Sequence, residues 1–261
     1  MISETLLKRD RWLLLGGLAL TTLAAWAYMA REARTMTATG ICQCAGMQMS
    51  GPDLNPWSSS TLLPLFLMWS EMMVAMMLPS ATPMVLTFAR VNRQRRVQER
   101  PYVHTLVFVS GYLAVWTLFS ALAAVAQWVL HGKALLSPAM ASQSRWLGAS
   151  ILIGAGLFQW TPLKQACLGH CRSPLSFLLT EWREGGWGAF LMGFRHGGYC
   201  TGCCWILMAL LFVAGVMNLW WIAALTALVL IEKAAARGLF VARTSGVVLA
   251  AWGLVVLFRG S

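Results

Sequence analysis

The chain has 261 residues, of which 58% are hydrophobic and only 11% charged, whereas roughly a quarter of an ordinary soluble domain is charged. Water is therefore not its main solvent, and one polytopic helix bundle is expected in place of soluble domains. The formal charge of +11 sits in short segments between apolar runs, which is the pattern of membrane orientation. Basic patches interleaved with aromatics are missing, which excludes nucleic acid as a partner.

In chain order, the first apolar span covers 12–30 and follows Lys8, Arg9 and Arg11. Tyr28-Met29-Ala30-Arg31 makes a poor cleavage site, so the span reads as a retained helix. Segment 31–61, with Gly40, Gly51, Pro52 and Pro56, reads as an outer loop. The second span, 62–89, leads into a basic inner loop over 90–101 that holds Arg90, Arg93, Arg95, Arg96 and Arg100. Spans three (103–130) and four (146–160) follow, and then a polar inner segment over 162–186. Span five, 187–216, is interrupted at Arg195-His196-Gly197-Gly198, where the glycines loosen the helix and free carbonyl groups. Spans six (219–231) and seven (246–258) complete an all-α bundle of about seven spans in a single transmembrane domain. With the N-terminus cytoplasmic, fourteen of the twenty cations fall on inner segments and five on outer ones, with Arg195 inside span five. The positive-inside rule supports that topology.

The seven cysteines form three tight clusters, a spacing that suits metal or thiol chemistry better than long disulfide loops. On the outer loop, Cys42, Cys44, Met47 and Met49 read C-x-C-x-x-M-x-M, a soft set that selects Cu(I), with thiolates also taking zinc. In the second span Met68, Met72 and Met76 recur every fourth residue, with Trp69, Met73 and Met77 on the adjoining ridge. Such a stripe can relay a soft ion or simply fill a helix interface. Glu71 lies in the same span, where a carboxylate is costly and functional by default, and Arg195 is its candidate partner. Cys167, His170 and Cys171 form C-x-x-H-C in the inner segment, too compact to close a zinc site alone. His196 with Cys200, Cys203 and Cys204 combines C-x-x-C-C with paired glycines, and Gly185, Ala189, Gly193 and Gly197 form a small-residue ridge. Buried apolar cysteines are the ordinary alternative. Glu232 and Lys233 read as a terminal ion pair that snorkels. Phosphate loops, nucleophile elbows and H-E-x-x-H are lacking, so hydrolytic and nucleotide chemistry have no motif support.

Met68-Trp69 with Ala75 to Pro79, the C-x-x-H-C-R-S-P run from Cys167 to Pro174, Gly198-Tyr199-Cys200 with Gly202 to Trp205, and Gly215 to Asn218 leading to Glu232-Lys233 together resemble a bacterial family. It is that of predicted metal-binding integral membrane proteins, known as domain of unknown function 2182, and the resemblance runs over 68–238. It implies a multi-pass protein of the bacterial inner membrane and points to a metal. The loop from Cys42 to Met49 lies outside it.

The expectation is a copper-handling protein that binds Cu(I) and passes it to a metallochaperone, to a membrane-complex partner, or across the bilayer. Cys42, Cys44, Met47 and Met49 would capture the ion, Met72, Met76, His196, Cys200, Cys203 and Cys204 would hold it, and Cys167, His170 and Cys171 would act at the inner face. Few histidines and almost no aspartate argue against hard cations. The alternatives are an accessory subunit of a membrane complex and a thiol oxidoreductase using the C-x-x-C-C unit.

Overall fold

A computed structural model describes residues 2–39, 61–97, 103–137 and 140–258. Ten helices occur among them: α1 (Ile2–Thr39), α2 (Leu62–Val97), α3 (Thr105–Gly132), α4 (Arg145–Phe158), α5 (Pro162–Arg172), α6 (Pro174–Glu181), α7 (Gly185–Ala209), α8 (Leu211–Ala214), α9 (Leu219–Ala234) and α10 (Gly238–Phe258). Among the described residues the only non-helical pairing is an isolated bridge between Leu136 and Ser142.

Among the described residues, five segments are long and apolar enough to cross a membrane: Arg11–Arg34, Leu62–Arg95, Thr105–Gly132, Gly185–Ala214 and Gly238–Phe258. The other two expected spans are shorter. At 14 and 16 residues, α4 and α9 reach only about 21 and 24 Å, against a hydrocarbon core of about 30 Å.

Several expected boundaries shift. Helix α1 continues to Thr39 and α2 to Val97, so the loops expected from residues 31 and 90 begin later. The polar segment 162–186 is largely helical, as α5 and α6. Each opens on a proline at its first turn, where the missing N–H costs nothing. Helix α10 begins at Gly238, eight residues before the expected start. Its early charge is accommodated because the Arg243 guanidinium lies 5.7 Å from the centre of the Trp160 ring.

The expected break in span five is absent. Helix α7 runs unbroken from Gly185 to Ala209, because its glycines serve close packing. A Cβ at Gly193 would overlap the Phe108 carbonyl of α3, and one at Gly197 would lie 3.0 Å from the Tyr112 carbonyl. From the other side, a Cβ at Gly111 would overlap the Phe190 carbonyl. The small-residue ridge thus seats α7 on α3 in parallel, Phe108 beside Gly193 and Tyr112 beside Gly197. Helices α4 and α10 use the same device in antiparallel, at Gly156 with Gly246 and at Gly253 with Ile153.

Helix α2 carries Pro79 in its interior. Proline has no N–H, so the carbonyl four residues earlier, that of Ala75, loses its helical donor. The Trp26 indole of α1 supplies one at 3.2 Å. On its other side α2 meets α3, where Trp69 donates to Gln127 at 2.6 Å and Phe88 stacks on Phe108 with ring centres 4.6 Å apart.

Candidate metal centre

Positions 200, 203 and 204 follow the i, i+3, i+4 spacing that places residues on one helix face, and on α7 all three cysteines are buried, with His196 one turn earlier and also buried. Because α7 is seated on α3, Tyr112 comes beside Cys200. Three further elements close around them. Helix α2 contributes Met77, α9 contributes Lys233, and α5 contributes Cys171.

The contacts are sulfur-rich. Cys203 and Cys204 donate to the Cys200 carbonyl at 3.1 and 3.0 Å, and Cys204 Sγ lies 4.0 Å from Met77 Sδ. Lys233 Nζ donates to Cys200 Sγ at 2.9 Å and to Ser80 Oγ at 3.0 Å. The Tyr112 hydroxyl donates to the Met77 carbonyl at 3.1 Å and sits 3.2 Å from Cys200 Sγ. The Cys171 thiol is hydrogen-bonded to both Cys200 and Cys203, which holds it protonated well above the ordinary thiol range, and burial adds to the effect. On the same helix, burial pushes the Cys167 thiol up, the nearby Cys203 adds to this, and Lys164 opposes it. All five described cysteines are free.

His196 is boxed by aromatic rings, with Tyr112 at 5.8 Å, Phe177 at 5.7 Å and Phe108 at 6.3 Å between centres. Its Nδ1 is buried without a hydrogen-bond partner, a costly state for a ring nitrogen that a ligand would relieve. Among the described residues no three His, Cys, Asp or Glu side chains already converge as a finished metal site. What converges is a cluster of soft donors, with Cys203 and Cys204 turned onto a carbonyl.

A second polar network fixes the helix that carries Cys171. Lys164 of α5 pairs with Glu232 of α9 at 2.5 Å, with both side chains essentially inaccessible to solvent. Gln159 donates to Glu232 at 2.8 Å and to Ser245 at 3.2 Å. Arg172, at the far end of α5, donates to the Ala235 and Ala236 carbonyls at 2.6 and 2.8 Å. The end of α9 therefore grips α5 through Glu232 and through the Ala235 and Ala236 carbonyls that follow it, and α7 through Lys233.

Residues 66–256 match the PpoB2 family, described as copper chaperones. The chain belongs to the PpoB2 copper chaperone family. No match was found among curated proteins or among solved structures. Family membership gives the soft donors a copper-related context and bears out the expected link to copper. The match is to a family described by copper chaperones and spans more of the chain than the 68–238 of the sequence resemblance.

Within this PpoB2 chain the expected ligands separate. Cys171 joins Cys200, Cys203 and Cys204, so two clusters expected as successive stations meet in one place. Cys167 is buried beside them, its Sγ 2.9 Å from where a Cβ on Gly202 would lie. His170 stays exposed, bonded through Nδ1 to the Ala166 carbonyl at 2.9 Å and stacked on Tyr199 with ring centres 4.2 Å apart. Of the methionine stripe, Met72, Met73, Met76 and Met77 are all buried, and Met77 is the one that meets a cysteine. Cys42, Cys44, Met47 and Met49 lie outside the described residues.

Two expected ion pairs are different in the structure. Arg195 pairs with Glu181 of α6 and not with Glu71, because it is an exposed residue of α7 while Glu71 borders α1. Glu232 and Lys233 do not pair with each other. As neighbours on one helix they point in different directions, the one to Lys164 and the other to Cys200. Tyr112 and Ser80 escaped the sequence reading, and Lys233 was expected as half of a terminal ion pair, not beside the thiols. The available signal was the lysine itself, a cation in an apolar segment with a better partner than solvent.

Proposed function

We propose that this chain binds Cu(I) at the cysteine cluster of α5 and α7 and hands it to a partner protein, as a multi-pass protein of a bacterial inner membrane. The observation that carries the reading is the meeting of Cys171 of α5 with Cys200 and Cys203 of α7, with Cys204 against the Met77 thioether and Cys200 against the Lys233 ammonium. Thiolate and thioether donors select Cu(I) over harder ions. Two thiolates on Cu(I) leave a net negative charge that is expensive in an apolar bundle. The ammonium at Cys200 offsets it. On binding, Cys203 and Cys204 would release their thiol protons to solvent and exchange their bonds to the Cys200 carbonyl for bonds to the ion, and His196 Nδ1 stands one turn away as a further donor.

Cys171 is only half-buried, which makes it the donor closest to solvent among the four. Transfer proceeds by ligand exchange, with an incoming thiolate taking the ion as Cys171 releases it. Zinc is the alternative ion, since thiolates also take it. The seven-span, N-terminus-inside topology belongs to this reading. It is supported by the cation distribution and by the alternating directions of α2, α3, α4 and α10.

The test is copper analysis of the purified chain after loading with Cu(I), wild type against C200S/C203S/C204S. Copper retained by the wild type and lost from the variant supports the reading. Equal copper in both sinks it. The same thiol contacts would also suit a dithiol oxidoreductase, and in that case Cys171 and Cys200 would cycle between thiol and disulfide by exchange with the disulfide and dithiol forms of a partner protein, with copper absent.

A further inference from the structure

A cavity of about 90 Å³ lies between α1 and α2, away from the cysteine cluster. Met29 and Glu32 of α1, Met68, Glu71 and Met72 of α2, and Met217 before α9 line it. Among the described residues, no lysine or arginine lines it. Four thioethers in an enclosure of this size have the chemistry of a soft monovalent cation site, and the two carboxylates supply the negative charge that thioethers lack. Packing alone would explain methionines here. It does not explain Glu32 and Glu71, two acidic side chains opening into the same apolar cavity, each within range of the other's charge.

The cavity also has a route onward. Met72 and Met77 are five residues apart on α2, about 7.5 Å along the axis. Met73 and Met76 fill the interval, buried like their neighbours. Met77 then touches Cys204. We propose that this cavity is a second, weaker cation site that receives Cu(I) through Met68, Met72 and Met217, with Glu71 and Glu32 balancing its charge, and loads the cysteine cluster by way of Met77. The proposal deepens the copper reading and rests on it. The donor types rise in strength along the path, thioether to thiolate, which sets the direction of movement.

The probe is Ag(I), a redox-inert stand-in for Cu(I), measured by equilibrium dialysis of the full chain in detergent. Two backgrounds are used, the wild type and a chain with all seven cysteines changed to serine. In both, M68L/M217L is expected to remove one bound Ag(I), and E71Q to weaken that Ag(I) by about tenfold. Leucine for methionine conserves volume, and glutamine for glutamate conserves shape, so a fold lost in one variant leaves the other to decide. Ag(I) binding that is the same with and without both sets of substitutions would overturn the cavity site. Failure of the copper reading is distinguishable, because there the cysteine-to-serine changes would leave Cu(I) content intact whatever the cavity variants do.

Discussion

At Lys233 the decisive quantity is the distance of 2.9 Å to Cys200 Sγ. A cation so close to this sulfur offsets the negative charge of a copper–thiolate group. Replacing Lys233 by Met removes that charge and keeps much of the volume. Cu(I) affinity, read by competition with a chromophoric chelator, should fall about 10- to 100-fold in K233M, a loss of the size seen when groups supporting metal ligands are removed. K233R should recover much of it, which a purely structural role for the stem would not require. At Cys171 the direction is opposite. Donating to Cys200 and Cys203 keeps this thiol protonated, so its folded value lies above the ordinary range. Alkylation of Cys171 in the metal-free chain should therefore stay slow at neutral pH and rise only well above pH 8.5, the ordinary cysteine value of about 8.5. A labelling profile centred on the ordinary value would contradict the bond to its neighbours. Residue identities at this scale were largely legible: the cysteines, the histidine and the methionines announce soft-ligand chemistry by type. Their partners were not, because a lysine beside a glutamate in sequence gives no sign that the two serve different helices.

At the scale of the element, α7 shows why one local signal supports two readings. Gly193 and Gly197 are as consistent with a broken helix as with a close seat for a neighbour, and only the presence of α3 decides. With the Phe108 and Tyr112 carbonyls in the way, any side chain at Gly193 forces the two helices apart. G193L should therefore fail to give folded protein, whereas G198A, where a Cβ meets nothing within 4 Å, should fold normally; thermal unfolding of the detergent-solubilised chains distinguishes them. Helix α5 makes a second case. Its pair to Glu232 is fully buried, so K164M strands a carboxylate and should cost about 3–5 kcal/mol. K164M/E232M, which removes both charges, should recover most of that stability. Cu(I) affinity need not recover with it, since the pair also sets where α5 presents Cys171. The helical nature of 162–186 was hidden because its polar residues read as an inner loop, while the prolines that open α5 and α6 sit where helices tolerate them.

Across the whole molecule, the apolar composition pointed from the sequence to an all-helical chain with helices long and apolar enough to cross a membrane. Among the described residues, five helices meet the length and hydropathy that crossing a bilayer demands. The count beyond five depended on α4 and α9, whose lengths are set by what they pack against. Helix α9 is the more consequential of the two. It stops where Glu232 and Lys233 are needed, and by ending there it joins the helix carrying Cys171 to the helix carrying the other three cysteines. Sequence spacing alone separated those clusters by some thirty residues and assigned them to separate stations, since nothing in the spacing encodes the fold-back of α5 onto α7. Copper X-ray absorption on the Cu(I)-loaded chain, wild type against C171S, tests that joining most directly. A sulfur-dominated shell in the wild type that loses one sulfur in C171S is expected if α5 and α7 hold the ion together. An identical shell in the two proteins would contradict it.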